Sequence, residues 1–576
     1  MTSIDPSIRA KAESWLTGNV DEQTKSTIKA LLKENPTELI DSFYRDLEFG
    51  TGGLRGLMGV GTNRINVYTI GMATQGLANY LLKCFPDETI KVAITHDSRI
   101  NNTLFATTTA NVLTANGIHV LYFRDMRPTP MLSFAVRHFS CKSGVMITAS
   151  HNPKEYNGYK AYWEDGAQVV APHDKNIITE VQKITSFDQV NFEKNDTLFT
   201  YIEEDFDAVY MEKVVGLSLA KEAIQAQKDM KIVFSPIHGA SGKMVPEALR
   251  AFGFENINIV KEQAEPDGNF PTVIYPNPEE AEALTLSLKL GKEIGAELIL
   301  ACDPDGDRYA AAVPNGSGEF ELLNGNQTGS LLTYYLLSRW QEASKLDGNQ
   351  FIVNTIVTTE LIDEIAKGFG VACYSVLTGF KNIASTILEL EGKKQFISGG
   401  EESYGYLVGD FVRDKDGVSA CAMVAEMIAY YKTQDKTVFD VLAEIYTQYG
   451  FYKENLISVT KKGKDGAEQI QALMDGFRTN PPSEMNGIAV DRIVDVKEST
   501  VTNVKSGEKT PLDMDKSNVM QFYLADGSKI SARPSGTEPK IKYYFSVNSP
   551  LEKEADYRKK EAELDHKLEG LKSYFS

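Results

Sequence analysis

The chain has 576 residues, 42% hydrophobic, 24% charged and 10% aromatic, which excludes a fibrous or wholly disordered protein and, at roughly 150 residues per domain, calls for three to five domains. Its 60 Lys and Arg against 79 Asp and Glu leave a net charge of −19, a field that repels polyanions and disfavours nucleic acid or an anionic membrane as partner. Cys84, Cys141, Cys302, Cys373 and Cys421 form no CxxC pair and no zinc spacing, as expected of packing thiols in a reducing compartment. Residues 1–6 lack the basic start and apolar run of a signal peptide and no stretch approaches ~18 uninterrupted apolar residues, so a cytoplasmic protein is expected.

Short β-branched runs alternate with longer amphipathic ones, the pattern of α/β units with mainly parallel or mixed sheets. In chain order the predicted strands include Lys91–Thr95, Ile118–Phe123, Gly144–Thr148, Lys231–Phe234, Leu298–Ala301 and Phe351–Val353. Several run directly into polar loops containing Gly or Pro, and in open α/β sheets the loops after strand ends are where sites are built. Beyond Tyr449-Gly450-Phe451-Tyr452 the pattern changes. A hairpin signal at Leu524–Ser528, an alternating strand at Lys540–Phe545 and a charged helix over Leu551–Leu571 predict a smaller α+β domain. Boundaries near 220, 325 and 453 divide the chain into residues 1–220, 221–325, 326–453 and 454–576.

The segment with the most chemistry is Cys302-Asp303-Pro304-Asp305-Gly306-Asp307-Arg308. Pro304 and Gly306 prevent it from continuing the strand before it, so the loop should curl its three carboxylates together. Anions so close raise one another's pKa unless a cation sits among them. Three carboxylates without His or Cys favour a hard ion, Mg²⁺ over zinc. An EF-hand fails because Arg308 stands where its glycine is required and Pro314 where its bidentate glutamate belongs. A haloacid-dehalogenase type of phosphatase, with Asp303 as nucleophile, stays open, as does a solvated acidic turn.

Thr148-Ala149-Ser150-His151-Asn152-Pro153 follows a strand and leads to Asn157-Gly158-Tyr159-Lys160. A serine exposed there is a possible phosphate acceptor. The alternative is a helix cap with Pro153 in the first turn. His151 is its sequence neighbour, so the two side chains are expected to diverge, leaving His151 to act on substrate or phosphate. Two further loops read as anion cradles: Gly50–Gly56, containing Arg55, and Arg533-Pro534-Ser535-Gly536-Thr537-Glu538-Pro539. Neither has the spacing of a nucleotide P-loop, and Gly239–Lys243 is too short for one. In Gly400-Glu401-Glu402-Ser403-Tyr404-Gly405 the carboxylates and hydroxyl suit sugar hydroxyls, and Lys381 follows a glycine turn as a candidate acid or base.

Taken in order, Gly50–Arg55, Thr148–Pro153, Asp303–Arg308, Gly400–Gly405 and Arg533–Pro539 resemble the α-D-phosphohexomutase superfamily (the phosphoglucomutase/phosphomannomutase family), most of all its phosphoglucomutase branch. The resemblance spans residues 50–539. It implies three related α/β domains with mixed sheets and a C-terminal α+β domain around a central cleft. It also implies a reversible phosphoryl transfer through an enzyme phosphoserine and a glucose 1,6-bisphosphate intermediate, with small sugar phosphates as partners. By position, Ser150 carries the phosphate, and Asp303, Asp305 and Asp307 hold Mg²⁺ together with an oxygen of that phosphoserine. Arg308, Arg55, His151 and Lys160 surround the transferring group, with Lys381 as proton carrier. Glu401 and Ser403 bind sugar hydroxyls, and Arg533, Ser535, Gly536 and Thr537 the second phosphate. Glu-Glu-Ser-Tyr favours a glucose-type member, whereas Thr51-Gly52-Gly53 and the long chain point toward phosphopentomutases, so pentose and mannose remain alternatives beside the phosphatase and a non-catalytic sugar-phosphate sensor.

Overall fold

Val92, Ala93 and Ile94 on one strand and Val145, Met146 and Ile147 on its neighbour are fully buried, as continuous apolar runs must be when helices cover both faces of a parallel sheet. The computed structural model describes residues 4–48, 50, 52–461, 463–535 and 540–575. It divides into two compact units. The first holds residues through Leu323 with Ala384–Glu391 and Ser403–Tyr430, and the second holds Asn324–Ile383, Gly392–Glu402 and the chain from Tyr431 onward.

The first unit contains two mixed sheets. In the first, strands Lys91–His96, His119–Phe123, Ser143–Ile147 and Phe199–Ile202 run parallel, and Tyr156–Trp163 and Gly53–Leu57 add antiparallel at one edge. Gly144 lets helix Thr129–His138 pack closely, because a Cβ there would stand 2.6 Å from Val136. Burying one Val or Ile side chain of this core contributes about 1.5–3 kcal/mol. In the second sheet Ile257–Ile259, Ile232–Ser235 and Leu298–Cys302 are parallel, followed by antiparallel Tyr309–Pro314 and Phe320–Leu323. Three short helices, Pro6–Thr17, Glu22–Glu34 and Pro36–Phe43, are each capped by an Asp or Asn. They close over Trp15, Phe43, Tyr68 and Phe187, whose rings lie 5.0–5.6 Å apart where they meet.

The second unit contains a parallel set, Ala372–Val376, Gln350–Thr355 and Gln395–Glu401, and a C-terminal antiparallel sheet. In that sheet Phe451–Thr460 pairs with Lys540–Ser549 from Phe451↔Ser549 to Thr460↔Lys540. Helix Tyr557–Ser573 buries Leu564, Leu568 and Leu571, one face at helical spacing. It starts six residues later than the sequence pattern predicts: Leu551 is drawn into the core outside the helix, and Glu554–Asp556 makes a 3₁₀ turn before it. The three α/β sheets followed by an antiparallel α+β portion are the fold class expected from sequence. Among the described residues no helix is long and apolar enough to cross a membrane.

Candidate active site

Three loops of the first unit leave the carboxyl ends of parallel strands and meet. They follow Lys91–His96, Ser143–Ile147 and Leu298–Cys302. The acidic loop curls as its Pro and Gly require. Gly306 adopts φ +67°, where a Cβ would strike Pro128, and its N–H closes a turn onto Asp303 O at 2.9 Å. Gly239 packs against the other side, so closely that a Cβ would lie 2.4 Å from Pro304 Cα, and Ala240 N–H donates to Pro304 O at 2.8 Å.

Asp303, Asp305 and Asp307 are 0–1% exposed, and one carboxylate oxygen from each lies within 4.8 Å of the others. The Ser150 hydroxyl donates to Asp303 Oδ2 at 2.9 Å, and Arg308 N–H donates to Asp303 Oδ1 at 3.0 Å. Asp305 Oδ2 accepts from Lys160 Nζ at 2.6 Å and from the Thr129 hydroxyl at 2.9 Å. Asp307 Oδ2 takes Lys160 Nζ at 3.1 Å and Lys415 Nζ at 3.2 Å. Asp305 Oδ1 and Asp307 Oδ1 are buried with no hydrogen-bond partner among the described residues. Unpaired buried carboxylate oxygens in an all-oxygen donor set fit a hard divalent cation, as Mg²⁺ requires. Burial, with Asp305 and Asp307 adjacent, pushes the Asp303 carboxyl well above its usual range. Against the same burial, Lys160, Lys415 and Arg308 hold Asp307 below it.

Ser150 sits in the left-handed region at φ +52°. This conformation overturns the expectation that its side chain diverges from His151: Ser150 Oγ and His151 Nδ1 are 3.1 Å apart. No helix follows Ser150; the chain turns and enters strand Tyr156–Trp163, so the helix-cap reading fails. That strand delivers Lys160 to the acidic loop, while Arg55, on the paired strand, donates to Asn152 Oδ1 at 3.4 Å. Burial, followed by the charges of Arg308 and Arg55, drives His151 well below its ordinary pKa, so its imidazole is neutral. Arg308 Nη1 is paired with Glu279.

The remaining sequence-predicted residues divide between the units. Ser403 belongs to the first unit and Glu401 to the second. Glu401 Oε1 accepts from Gly379 N–H at 2.8 Å, and Lys381 lies two residues beyond that turn, at the start of helix Phe380–Leu390. Arg533 donates to the Tyr544 hydroxyl at 3.3 Å, and Ser535 N–H to Lys540 O at 2.7 Å. Gly536 and Thr537 lie outside the described residues.

Sequence reasoning missed a second charged group at the cage. Arg413, Asp414, Lys415 and Asp416 are four consecutive charged residues, yet they are 1%, 1%, 8% and 0% exposed. Lys415 bridges Asp307 and Asp414, and Asp414 also accepts from the Tyr162 hydroxyl at 2.7 Å. The position of this run, shortly after strand Gly405–Val408 and before Gly417, was the available signal. Asp97 and Arg99, just after strand Lys91–His96, were missed as well.

Comparison with known proteins converges on one family. Sequence models of phosphoglucomutase/phosphomannomutase α/β/α domains I, II and III match residues 46–188, 208–316 and 324–449. A phosphoglucomutase of Staphylococcus aureus strain MRSA252 is 37% identical over 522 residues, covering 90% of this chain and 92% of its own. One from Staphylococcus haemolyticus is 36% identical over 513 residues, covering 88% and 91%. Among solved structures, a phosphoglucomutase/phosphomannomutase family protein of Burkholderia thailandensis superposes with a TM-score of 0.63 at 20% identity, covering 87% of this chain and 93% of that one. Parafusin, a phosphoglucomutase of Paramecium in its open form, superposes at 0.64 with 18% identity, covering 88% and 91%; these two show the shared fold.

Proposed function

Because the chain belongs to the phosphoglucomutase/phosphomannomutase family, and is therefore a phosphoryl-transferring mutase of the isomerase class, we propose that it interconverts glucose 1-phosphate and glucose 6-phosphate, with Ser150 as phosphoryl carrier and glucose 1,6-bisphosphate as intermediate and activator. The observation that carries this reading is the Ser150 hydroxyl, 2.9 Å from Asp303 at the edge of a buried three-aspartate cage with two unpaired oxygens. Glucose as the sugar rests on the relatives that are phosphoglucomutases at 36–37% identity over about nine-tenths of the chain. Five free thiols suit a reducing, cytoplasmic setting.

Asp303, Asp305 and Asp307 would hold Mg²⁺, which when bound supplies positive charge to the phosphoryl oxygens. The transferring group is loose and anionic in the transition state, so alignment and charge are the protein's main tasks. Arg308 offers a guanidinium fork pre-aimed by Glu279, Arg55 a second cation beside Asn152, and Lys160 an ammonium already at the cage. In the first half-reaction the phosphoryl group leaves Ser150 Oγ for the sugar 6-hydroxyl, whose proton ends on Ser150 Oγ. In the second the 1-phosphoryl returns to Ser150 Oγ, and that proton ends on O1 of the sugar. Around Oγ lie Asp303 Oδ2, which accepts the hydroxyl proton at 2.9 Å, and His151 Nδ1 at 3.1 Å; Lys381 is assigned the sugar-side proton. Glu401 and Ser403 bind sugar hydroxyls, and the Arg533–Thr537 loop the phosphate that stays.

The test is intact-protein mass before and after phosphatase treatment, with Ser150→Ala and Asp303→Asn variants and a panel of glucose, mannose, ribose and glucosamine 1-phosphates. The reading expects a removable phosphoryl group on Ser150, an inactive Ser150→Ala and a preference for glucose. A Ser150→Ala protein that still hydrolyses sugar phosphates, while Asp303→Asn does not, would instead identify a phosphatase.

A further inference from the structure

The nucleophile's backbone is held by a residue that no motif above contains. Arg99 leaves the end of strand Lys91–His96, which pairs in parallel with Ser143–Ile147, so its loop emerges beside the Ser150 loop. Its side chain is fully buried. Nη2 donates to Ser150 O at 2.6 Å and Asn152 O at 2.5 Å, and Nη1 donates to Pro153 O at 2.9 Å and Tyr156 O at 3.0 Å. Four carbonyls of one seven-residue loop thus converge on a single guanidinium. Only arginine presents donors in a planar fork that serves four acceptors at once; a lysine ammonium has three donors at one point. The cation is balanced by Asp97, whose Oδ2 lies 3.5 Å from Arg99 Nε, and it rests 5.1 Å from the centre of the Phe270 ring.

The other backbone group of Ser150 leads back to the same segment. Ser150 N–H donates to the Thr148 hydroxyl at 2.7 Å, which donates in turn to Asp97 Oδ2 at 2.5 Å. Both peptide groups of Ser150 are therefore anchored through Asp97 and Arg99, and its hydroxyl is left to face Asp303. A serine at φ +52° is strained and persists only where its surroundings over-determine it.

We propose that Arg99 is a positioning residue for phosphoryl transfer. By capturing the carbonyls of the Ser150 loop it keeps Ser150 in its left-handed conformation and aims Oγ for both half-reactions. Arg99 acts through the backbone. The inference rests on the reading of Ser150 as phosphoryl carrier.

The experiment compares full-length wild type, Arg99→Lys and Thr148→Val, each with Mg²⁺ and glucose 1,6-bisphosphate. It measures kcat, KM, the mass increment on Ser150, the single-turnover rate of phosphoryl transfer to glucose 1-phosphate, and thermal melting. Since a displacement of about 1 Å at a reacting centre costs about 10²-fold, Arg99→Lys is expected to lose about 100-fold in kcat and in the single-turnover rate together, with KM within about threefold of wild type. Thr148→Val is expected to lose about tenfold in the same pattern by removing the hydroxyl that links Ser150 to Asp97, and it carries the test if Arg99→Lys does not fold. Wild-type transfer rates in the folded variants, or a rise in KM at unchanged kcat, would overturn the positioning role while leaving the carrier reading intact. A wild-type enzyme that never acquires phosphate on Ser150 would overturn both.

Discussion

Replacing Lys160 with methionine separates what the cage needs for folding from what it needs for binding an ion. The Lys160 side chain is 10% exposed, and its ammonium bridges Asp305 and Asp307, themselves 0% and 1% exposed, at 2.6 and 3.1 Å. Breaking a buried ion pair by removing one partner costs about 3–5 kcal/mol. The low end applies here, because Lys415 still reaches Asp307 and the Thr129 hydroxyl still reaches Asp305. A loss of about 3 kcal/mol lowers the melting temperature by roughly 6 °C at about 2 °C per kcal/mol for a large domain. The effect of Mg²⁺ should then run the opposite way: with one competing cation gone, the ion takes over the neutralising role. If the two holoenzymes are equally stable, the thermodynamic cycle requires Mg²⁺ to bind the variant about 100-fold tighter, since each tenfold in affinity is about 1.4 kcal/mol. Melting curves in chelator and in saturating Mg²⁺, with isothermal titration of the metal, read both terms. An equal Mg²⁺-induced shift in the two proteins would refute the argument that Lys160 and the metal neutralise the same carboxylates.

Two other perturbations address the scaffold. Gly239→Ala puts a methyl 2.4 Å from Pro304 Cα and 2.6 Å from Pro304 O, so the acidic loop must move. A cost of about 1–3 kcal/mol is expected, with Mg²⁺ affinity about tenfold weaker by titration calorimetry; unchanged affinity would show that the two loops are not mechanically linked. In the second unit burial raises Glu454 to about 7 from the ordinary 4.5, with the Ser546 hydroxyl 3.3 Å from its Oε1. The folded state therefore holds this proton more tightly than the unfolded chain, and its stabilising contribution is lost as pH rises from about 4.5 to about 7. Glu454→Gln should match wild type at about pH 4, below the unfolded pKa, and be more stable at pH 8. The ceiling is about 3 kcal/mol, brought down to about 1–2 kcal/mol because the residue is only partly buried; equal denaturation midpoints at pH 8 would contradict this.

The aspartate cage and the Ser150 loop differ in where their charge is balanced. At the cage, three aspartates face two lysines and retain two oxygens unpaired among the described residues. At the Ser150 loop, four carbonyls take both terminal nitrogens of one arginine, while its buried Nε lies 3.5 Å from Asp97 without a hydrogen bond among the described residues. The first arrangement leaves two carboxylate oxygens for a cation, whereas the second spends both terminal nitrogens on backbone carbonyls, which suits it to hold geometry.

The alternation of strand and loop, and the curl of Asp303-Pro304-Asp305-Gly306-Asp307, were legible in the chain because they are local. Apolar β-branched runs favour strands, and a proline followed by a φ +67° glycine ends one at that point. The approach of Ser150 to Asp303 is another matter. It spans 153 residues and depends on two sheets setting their strand ends together; in the sequence only the family resemblance, not the residues of either loop, implied that pairing. His151 shows the limit of local reasoning: adjacent side chains ordinarily diverge, and only the left-handed Ser150, held by Arg99, turns both to one side. Lys415 and Arg99 were invisible for a stronger reason. A charged residue in a loop is normally solvated, and what makes these two part of the site is that they lie buried against specific carboxylates and carbonyls. The desolvation that creates their role arises from atoms far away in the chain, so it exists only once the tertiary structure has excluded water from around them.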